Sequence, residues 1–314
     1  MMLIHLFFNQ KLLSWYARNK RSLPWRHHPT PYHVLVSEIM LQQTPVSRVL
    51  VKFKEFTEKF PTLPDLARAS RAEVIQAWSG MGYNRRALLL HKFAQVVIKK
   101  KGGIIPYSPE TLRTLPGIGP YTAGAIASFA YNQPEPAIDV NVRRIYMRFF
   151  HGKDQGLPMG KKEEQQLYQL VKKSIPLRKS NLLHNALMDF GSLVCTRDTP
   201  QCGRCPLQST CAFYPLYQQR GEKILFPPRK RQEPGVYENG KFVPNRIFRG
   251  RLVEWVRKNE KKGIPLMKLG KAIKEDFKGA DKEWILSRCE QLRKDRLVNY
   301  HLTKKNINLE LARD

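Results

Sequence analysis

The segment Leu115 to Arg144, LPGIGPYTAGAIASFAYNQPEPAIDVNVRR, constrains this chain more than any other. Leu115-Pro116-Gly117-Ile118-Gly119 lies between two stretches of helical apolar periodicity. Glycine tolerates positive φ and leaves neighbouring backbone amides uncovered. Two such residues just ahead of a helix leave amides able to meet an anion at its N-terminus. Thr122 to Ala127, TAGAIA, then continues as a helix of small residues suited to close packing. An acid, Asp139, follows a break at Pro134 and Pro136. The residues alone read equally as a helix–turn–helix corner with an ordinary capping aspartate.

The surrounding pattern is helical. Leu3 to Arg18 carries an apolar stripe, and a loop follows through Leu23-Pro24-Trp25-Arg26. Val34 to Gln43 reads as a helix, and Pro45 opens another that ends near Phe60. Ser70-Arg71-Ala72-Glu73 is a capping box for a short helix to Trp78. Gly80-Met81-Gly82-Tyr83 is a turn, Arg85 to Lys100 a long helix, and Ser108-Pro109 starts the helix leading into Leu115. Residues 1–218 thus read as all-α, and residues 219–243, rich in Pro, Gly and charge, as a linker. In residues 244–314, helices are expected over Phe248–Lys258, Pro265–Phe277 and Lys282–Lys294, the last capped by Asp281. Short strands follow at Leu297–Leu302 and Ile307–Leu311. That is winged-helix order, which serves DNA binding or protein interaction.

Lys and Arg number 55 against 26 Asp and Glu, a net charge of +29, so the expected partner is a polyanion. This charge tilts the winged-helix segment towards DNA. No apolar run approaches the roughly 20 residues that span a bilayer. The N-terminus lacks the basic and small-residue features of a signal peptide, so a cytoplasmic location is expected.

Of the 5 cysteines, Cys195, Cys202, Cys205 and Cys211 form the pattern C-x6-C-x2-C-x5-C. An odd number without a signal peptide argues against a disulfide framework. Thiolates this close need a cation to hold them together. Structural zinc usually takes two C-x2-4-C pairs, and only one is present. Cys289, isolated in a predicted helix, reads as a buried core thiol.

Glu38 shares a helical face with Val34 and Leu41, where desolvation raises a carboxyl pKa. From pattern alone, the commoner reading is a surface glutamate in an ion pair.

Together these motifs resemble the endonuclease III-like helix-hairpin-helix DNA glycosylases, and most closely the MutY-type adenine glycosylases. The resemblance runs from Leu12 to Tyr217. It is carried by the hairpin with Asp139, by Ser37-Glu38-Ile39-Met40-Leu41-Gln42-Gln43-Thr44, and by the cysteine spacing. It implies a mainly α fold, a six-helix barrel plus a 4Fe–4S cluster region at 195–211, here followed by the winged-helix-like domain.

The resemblance implies a chemistry as well. Adenine leaves poorly as an anion, so Glu38 as general acid protonates N7 and lets it depart neutral. Asp139 as an ionised carboxylate stabilises the oxocarbenium-like sugar, a logic shared with glycoside hydrolysis. Asn141 holds Asp139 or water. The family usually has Gly at the position of Val140, a departure expected to crowd the loop and tune activity. Tyr121 stands where bifunctional relatives carry a Schiff-base lysine, so a monofunctional glycosylase is implied. The target base must leave the stack. Gln42 then intercalates, Tyr83 wedges beside the orphaned partner base, and Trp25 and Arg26 line the adenine pocket. Asn185 stands where the family commonly has Glu or Gln. Gly117, Gly119 and Tyr121 offer amides to phosphate, with Arg143 and also Arg85, Arg86 and Arg144 as cationic contacts. Arg197 and Arg204 are expected to reach phosphates from the cluster loop.

The β-rich Nudix-like domain with which many such enzymes read 8-oxoguanine has no counterpart in the pattern after residue 220. The expected substrate is duplex DNA with adenine opposite guanine or 8-oxoguanine, bound by a monomer and with no membrane. The alternatives are a thymine or uracil glycosylase acting on T·G or U·G, and a non-catalytic iron–sulfur DNA-binding regulator.

Overall fold

A computed structural model describes residues 2–27, 29–154, 159–220, 233–259, 263–303 and 306–313. The chain divides into two compact units: residues 1–38 with 105–228, and residues 39–104 with 229–314. Among the described residues, no helix is long and apolar enough to cross a membrane.

The first unit is helical. Its core brings together Phe8, Leu12 and Tyr16 of the Met2–Asn19 helix with Ile145, Tyr146 and Phe149 of Val140–His151. Leu167 and Val171 of Lys161–Ser174, and Leu183, Leu187 and Phe190 of Ser180–Leu193, complete it. Phe8 packs on Phe149 with ring centroids 4.9 Å apart, and Trp15 meets Phe190 edge-on at 5.2 Å. The predicted hairpin is present. The Pro109–Arg113 helix, N-capped by the Ser108 hydroxyl, turns through Leu115–Gly119 into the Pro120–Phe129 helix. Every residue of that second helix from Thr122 to Phe129 is buried, which its small side chains permit.

The second unit begins with Val46–Lys59, Leu63–Arg68, Arg71–Ala77 and Arg85–Lys101. The Ser70–Glu73 capping box forms as predicted, a cap of the kind worth about 1 kcal/mol. The C-terminal part has the expected order: helices Asn245–Lys258, Leu266–Ile273 and Lys282–Lys294, then strands Val298–Leu302 and Ile307–Leu311 paired antiparallel.

Three expectations need correction. The predicted linker contains a β-hairpin, Gly235–Glu238 against Lys241–Pro244, closed by Asn239 and Gly240 with φ of 48° and 75°. Left-handed Asn-Gly is the favoured two-residue hairpin turn. Residues 221–232 of that linker lie outside the described residues. Second, the winged-helix segment does not stand alone: Phe248, Leu252, Val253 and Val256 share one core with Ile75, and Ala72 and Leu88 pack against it. Third, Asp281 makes no side-chain cap to Lys282–Lys294; its carboxylate accepts from the Lys278 amide (2.8 Å) and Lys274 Nζ (3.3 Å).

Candidate active site

Glu38 sits on the Pro31–Leu41 helix among the buried residues Leu35, Val36, Ile39 and Met40. The residue is only 8% exposed, and the Tyr121 hydroxyl donates to Oε2 at 2.8 Å. Burial pushes Glu38 up to about 7; the Tyr121 hydrogen bond opposes this, the Asp139 charge adds to it and Arg26 opposes it. Burial, with the Glu38 and Asp139 charges behind it, holds the Tyr121 phenol well above its ordinary range. Tyr121 therefore stays a proton donor towards Glu38.

Asp139 is the N-cap of the Val140–His151 helix. Its Oδ1 accepts from the Asn141 and Val142 amides, both at 2.8 Å, and its Oδ2 from Asn141 Nδ2 at 2.8 Å. Burial raises its pKa, with these donors and Arg144 pulling the other way. Asn141 thus lies beside Asp139 and holds its carboxylate. The sequence did not foretell the next partners. Arg144 Nη2 donates to Asn141 Oδ1 (2.7 Å) and to the Gly191 carbonyl (2.7 Å), and its Nε donates to the Cys195 carbonyl (2.7 Å). A Cβ on Gly191 would stand 2.6 Å from Asn141 Cβ, so only glycine leaves Asn141 its place. Val140 is 66% exposed, so its side chain does not crowd the Asp139 turn as expected.

The loop delivering Asp139 is gripped from two sides. A Cβ on Gly124 would lie 2.3 Å from the Pro136 carbonyl oxygen. The Ala137 amide donates to His184 Nε2 at 3.0 Å, and His184 Nδ1 lies 2.8 Å from the Ser180 carbonyl. Burial lowers His184 to about 4, so the ring is neutral and Nδ1 carries its proton. Nothing in local sequence marks Gly124, His184 or Gly191 for these tasks.

Trp25 is buried. Arg26 is held in a fork by Asp189, Nη1 to Oδ2 at 2.9 Å and Nη2 to Oδ1 at 3.0 Å. The fully buried Asp189 also accepts from Arg21 Nε (2.7 Å) and the Arg21 amide (2.9 Å). Asp189 was missed, because its partners are far away in sequence. Asn185, expected to address a base edge, donates its Nδ2 to the Asn181 carbonyl one turn back at 2.9 Å.

Gln42 and Tyr83 belong to the second unit. Arg86 joins them: Nη1 donates to the Gln42 carbonyl, and the guanidinium lies 5.4 Å from the Tyr83 ring centroid and 5.5 Å from that of Trp78. Arg86 also donates to the carbonyls of Ile39 (2.8 Å) and Met40 (3.0 Å). Tyr83 is 47% exposed. Gly80, Gly82 and Tyr83 have φ of 77°, 66° and 45°. At a non-glycine residue such backbone costs on the order of 1 kcal/mol.

The cationic residues are corrected most. Arg86 and Arg144 are buried and bound to backbone carbonyls, so they build the turn and the Asp139 cap and do not face phosphate. Arg143 is forked onto Glu164 at 2.6 and 2.8 Å. Arg85 is exposed. In the hairpin, Gly117 takes the left-handed conformation at φ 78°, and Gly119 caps a helix whose first residue, Pro120, has no amide proton.

Cys195, Cys205 and Cys211 pack against the first unit's core. Arg148 braces their loop through the carbonyls of Thr196 (2.6 Å) and Arg197 (2.8 Å), with Nη1 3.6 Å from Cys195 Sγ. Burial and the neighbouring thiolates push Cys202 up to about 11, and burial pushes Cys205 up to about 12. Thiols raised in this way ionise together only with a cation among them, so the donor set fits a metal cofactor. Among the described residues, no group of three or more His, Cys, Asp or Glu converges as the ligands of one metal ion. Exposed Arg204 donates to Gln201 Oε1 at 3.1 Å, and Arg197 pairs with Asp198 at 3.4 Å.

Comparison with known proteins adds to this geometry. The family model described as "HhH-GPD superfamily base excision DNA repair protein" matches residues 36–173. The adenine DNA glycosylase of Mycobacterium tuberculosis (strain CDC 1551 / Oshkosh) is 40% identical over 252 residues, 79% of this chain and 78% of that protein. The Homo sapiens adenine DNA glycosylase is 41% identical over 241 residues, 74% of this chain and 43% of that protein. Among solved structures, a thermostable thymine-DNA glycosylase superposes with TM-score 0.63 at 28% identity, covering 68% of this chain and 97% of the other. A non-covalent endonuclease III–DNA complex superposes with TM-score 0.59 at 22% identity over 70% and 99%, a likeness of fold.

Proposed function

This chain belongs to the adenine DNA glycosylases of the HhH-GPD superfamily, and from that premise we propose that Glu38 and Asp139 are the pair that releases adenine from mispaired DNA. The chain is a base excision repair glycosylase, a hydrolase that acts on DNA. The buried Glu38, raised to about 7 beside the Tyr121 hydroxyl and the Asp139 carboxylate, carries the proposal. Near neutrality it keeps a proton to give to N7 of the purine, so the leaving group departs uncharged. Asp139, held by three donors, faces the sugar as positive charge grows at C1′. Asn141 fixes the carboxylate's orientation. Tyr121 offers a hydroxyl and no amine, so the product is an abasic site and the strand is left intact.

Trp25 and Arg26 line the pocket for the flipped base, Gln42 fills the gap it leaves, and Tyr83 wedges against the partner. Asn185 faces the base edge with its carbonyl oxygen. The amides of Gly117, Gly119 and Tyr121 and the Arg143 guanidinium, released from Glu164, meet phosphate. Cys195, Cys202, Cys205 and Cys211 would hold a 4Fe–4S cluster, which would supply the charge that keeps the four thiolates together.

The test is base release. Duplexes carrying A·G, A·8-oxoG, T·G and U·G are incubated with the protein and then treated with hot alkali, which breaks a strand only where a base is gone. Breakage of the adenine strand is expected, and Glu38→Gln should bind without releasing base. The thymine-DNA glycosylase likeness makes T·G the instructive arm: breakage there, with A·G intact, overturns the adenine reading.

A further inference from the structure

The turn bearing Tyr83 is held from outside by the C-terminal region. Gly80, Gly82 and Tyr83 all have positive φ; glycine adopts it freely, but at Tyr83 it persists only where surroundings over-determine it. The Asn245–Lys258 helix supplies those surroundings. Glu254 Oε2 accepts from the Ser79 hydroxyl at 2.9 Å, and its Oε1 from the Gly80 amide at 3.1 Å. One turn on, the buried Arg257 donates to Asn84 Oδ1 at 2.9 Å and to the Ile75 carbonyl at 2.7 Å, and it pairs with Glu254. The turn is thereby gripped at both shoulders, Ser79-Gly80 and Asn84, by two side chains of one helix. The apolar face of that helix shares a core with Ile75, just ahead of the turn. At the start of the same helix Arg246, paired with Glu233 at 2.7 Å, lies within electrostatic reach of the Tyr83 phenol.

We propose that the C-terminal region is a positioning element for partner-base recognition: the Glu254–Arg257 clamp holds the Gly80–Tyr83 turn so that Tyr83 meets the base opposite the excised one. The inference rests on Tyr83 as the wedge. Neither clamp residue touches the substrate; both act through the turn. Arg246 adds a cation on the same side.

The test uses the full chain and four variants: Tyr83→Ala, Glu254→Ala, the milder Ser79→Ala, and the double Tyr83→Ala/Glu254→Ala. Single-turnover base release is measured with enzyme in excess on duplexes with adenine opposite G, 8-oxoG, C and T, and partner discrimination is the ratio of rates. Glu254→Ala is expected to reduce discrimination about as much as Tyr83→Ala, on the order of tenfold, and Ser79→Ala less. The double variant should be no worse than Tyr83→Ala alone. Hydrogen exchange should speed up at the Gly80 amide ahead of the rest of the chain. If Tyr83→Ala loses discrimination while Glu254→Ala and Ser79→Ala keep it, or if the two losses multiply in the double variant, the clamp is overturned and the wedge stands. If Tyr83→Ala itself keeps full discrimination, the wedge fails and the clamp with it.

Discussion

Burial raises both carboxyls of this site, so their hydrogen bonding must separate the proton donor from the anion. Glu38 lies on an apolar helix face with one hydroxyl donor, whereas Asp139 caps a helix and takes three hydrogen bonds. Base release that needs Glu38 protonated should fall as pH rises through about 7, measured as single-turnover rate against pH. Stability has a definite sign here. Glu38 binds its proton more tightly folded than unfolded, so its contribution to stability is lost as pH climbs from about 4.5 to about 7. Glu38→Gln, which carries no such charge, should therefore gain stability over the parent from pH 5 to pH 8, by on the order of 3 kcal/mol at most. Thermal melts at the two pH values check this. His184 works oppositely: lowered to about 4, it withdraws support as pH falls from 6.5. Gly191→Ala should push Asn141 off Asp139 and cost base release tenfold or more, with DNA binding retained. Glu38 stood out in the sequence because it sits inside a long motif, Ser37 to Thr44. Arg86 was misread as a surface cation, yet it falls on the stripe of Leu90, Phe93 and Val97, and that periodicity marks it as buried.

Among the elements, the hairpin and the helix behind it were the easiest to read. Paired glycines and a run of small side chains leave little choice of structure, and the helix is buried from Thr122 to Phe129. What escaped was the purpose of the smallness: Gly124 lets the Pro136 carbonyl approach, and the loop so seated delivers Asp139. Gly124→Ala should destabilise the protein by about 1–3 kcal/mol as an overpacked core contact. It should also lower base release beyond what a shifted melting point explains, which rate measurements well below the melting temperature will show. The Gly235–Pro244 hairpin went unread because four-residue strands within a charged, Pro-rich stretch give little alternation. Its Asn-Gly turn was the available signal.

At the scale of the molecule, composition foretold the partner and pattern foretold the winged-helix order, but neither foretold how the chain is shared out. Which distant segments complete one core is fixed by packing that no local window contains. Leu252→Ala, deep in the core that Ile75 joins, should cost about 2–5 kcal/mol by chemical denaturation. With a net charge of +29, binding to undamaged duplex should weaken steeply with salt, by about 10³-fold or more from 50 to 200 mM if six or more phosphates are engaged. Titration with labelled duplex measures this.

Because Ile75 of residues 39–104 shares a core with residues 248–311, the ribosome delivers the parts of that core apart in time. At about 5–20 residues per second, roughly 10–40 s separate Ile105 from Leu311. For that interval the nascent chain carries Ile75 and Leu88 without the greasy surface that will cover them. Newborn copies halted by a premature stop would keep that stickiness, and chaperones and proteases would recognise them by it.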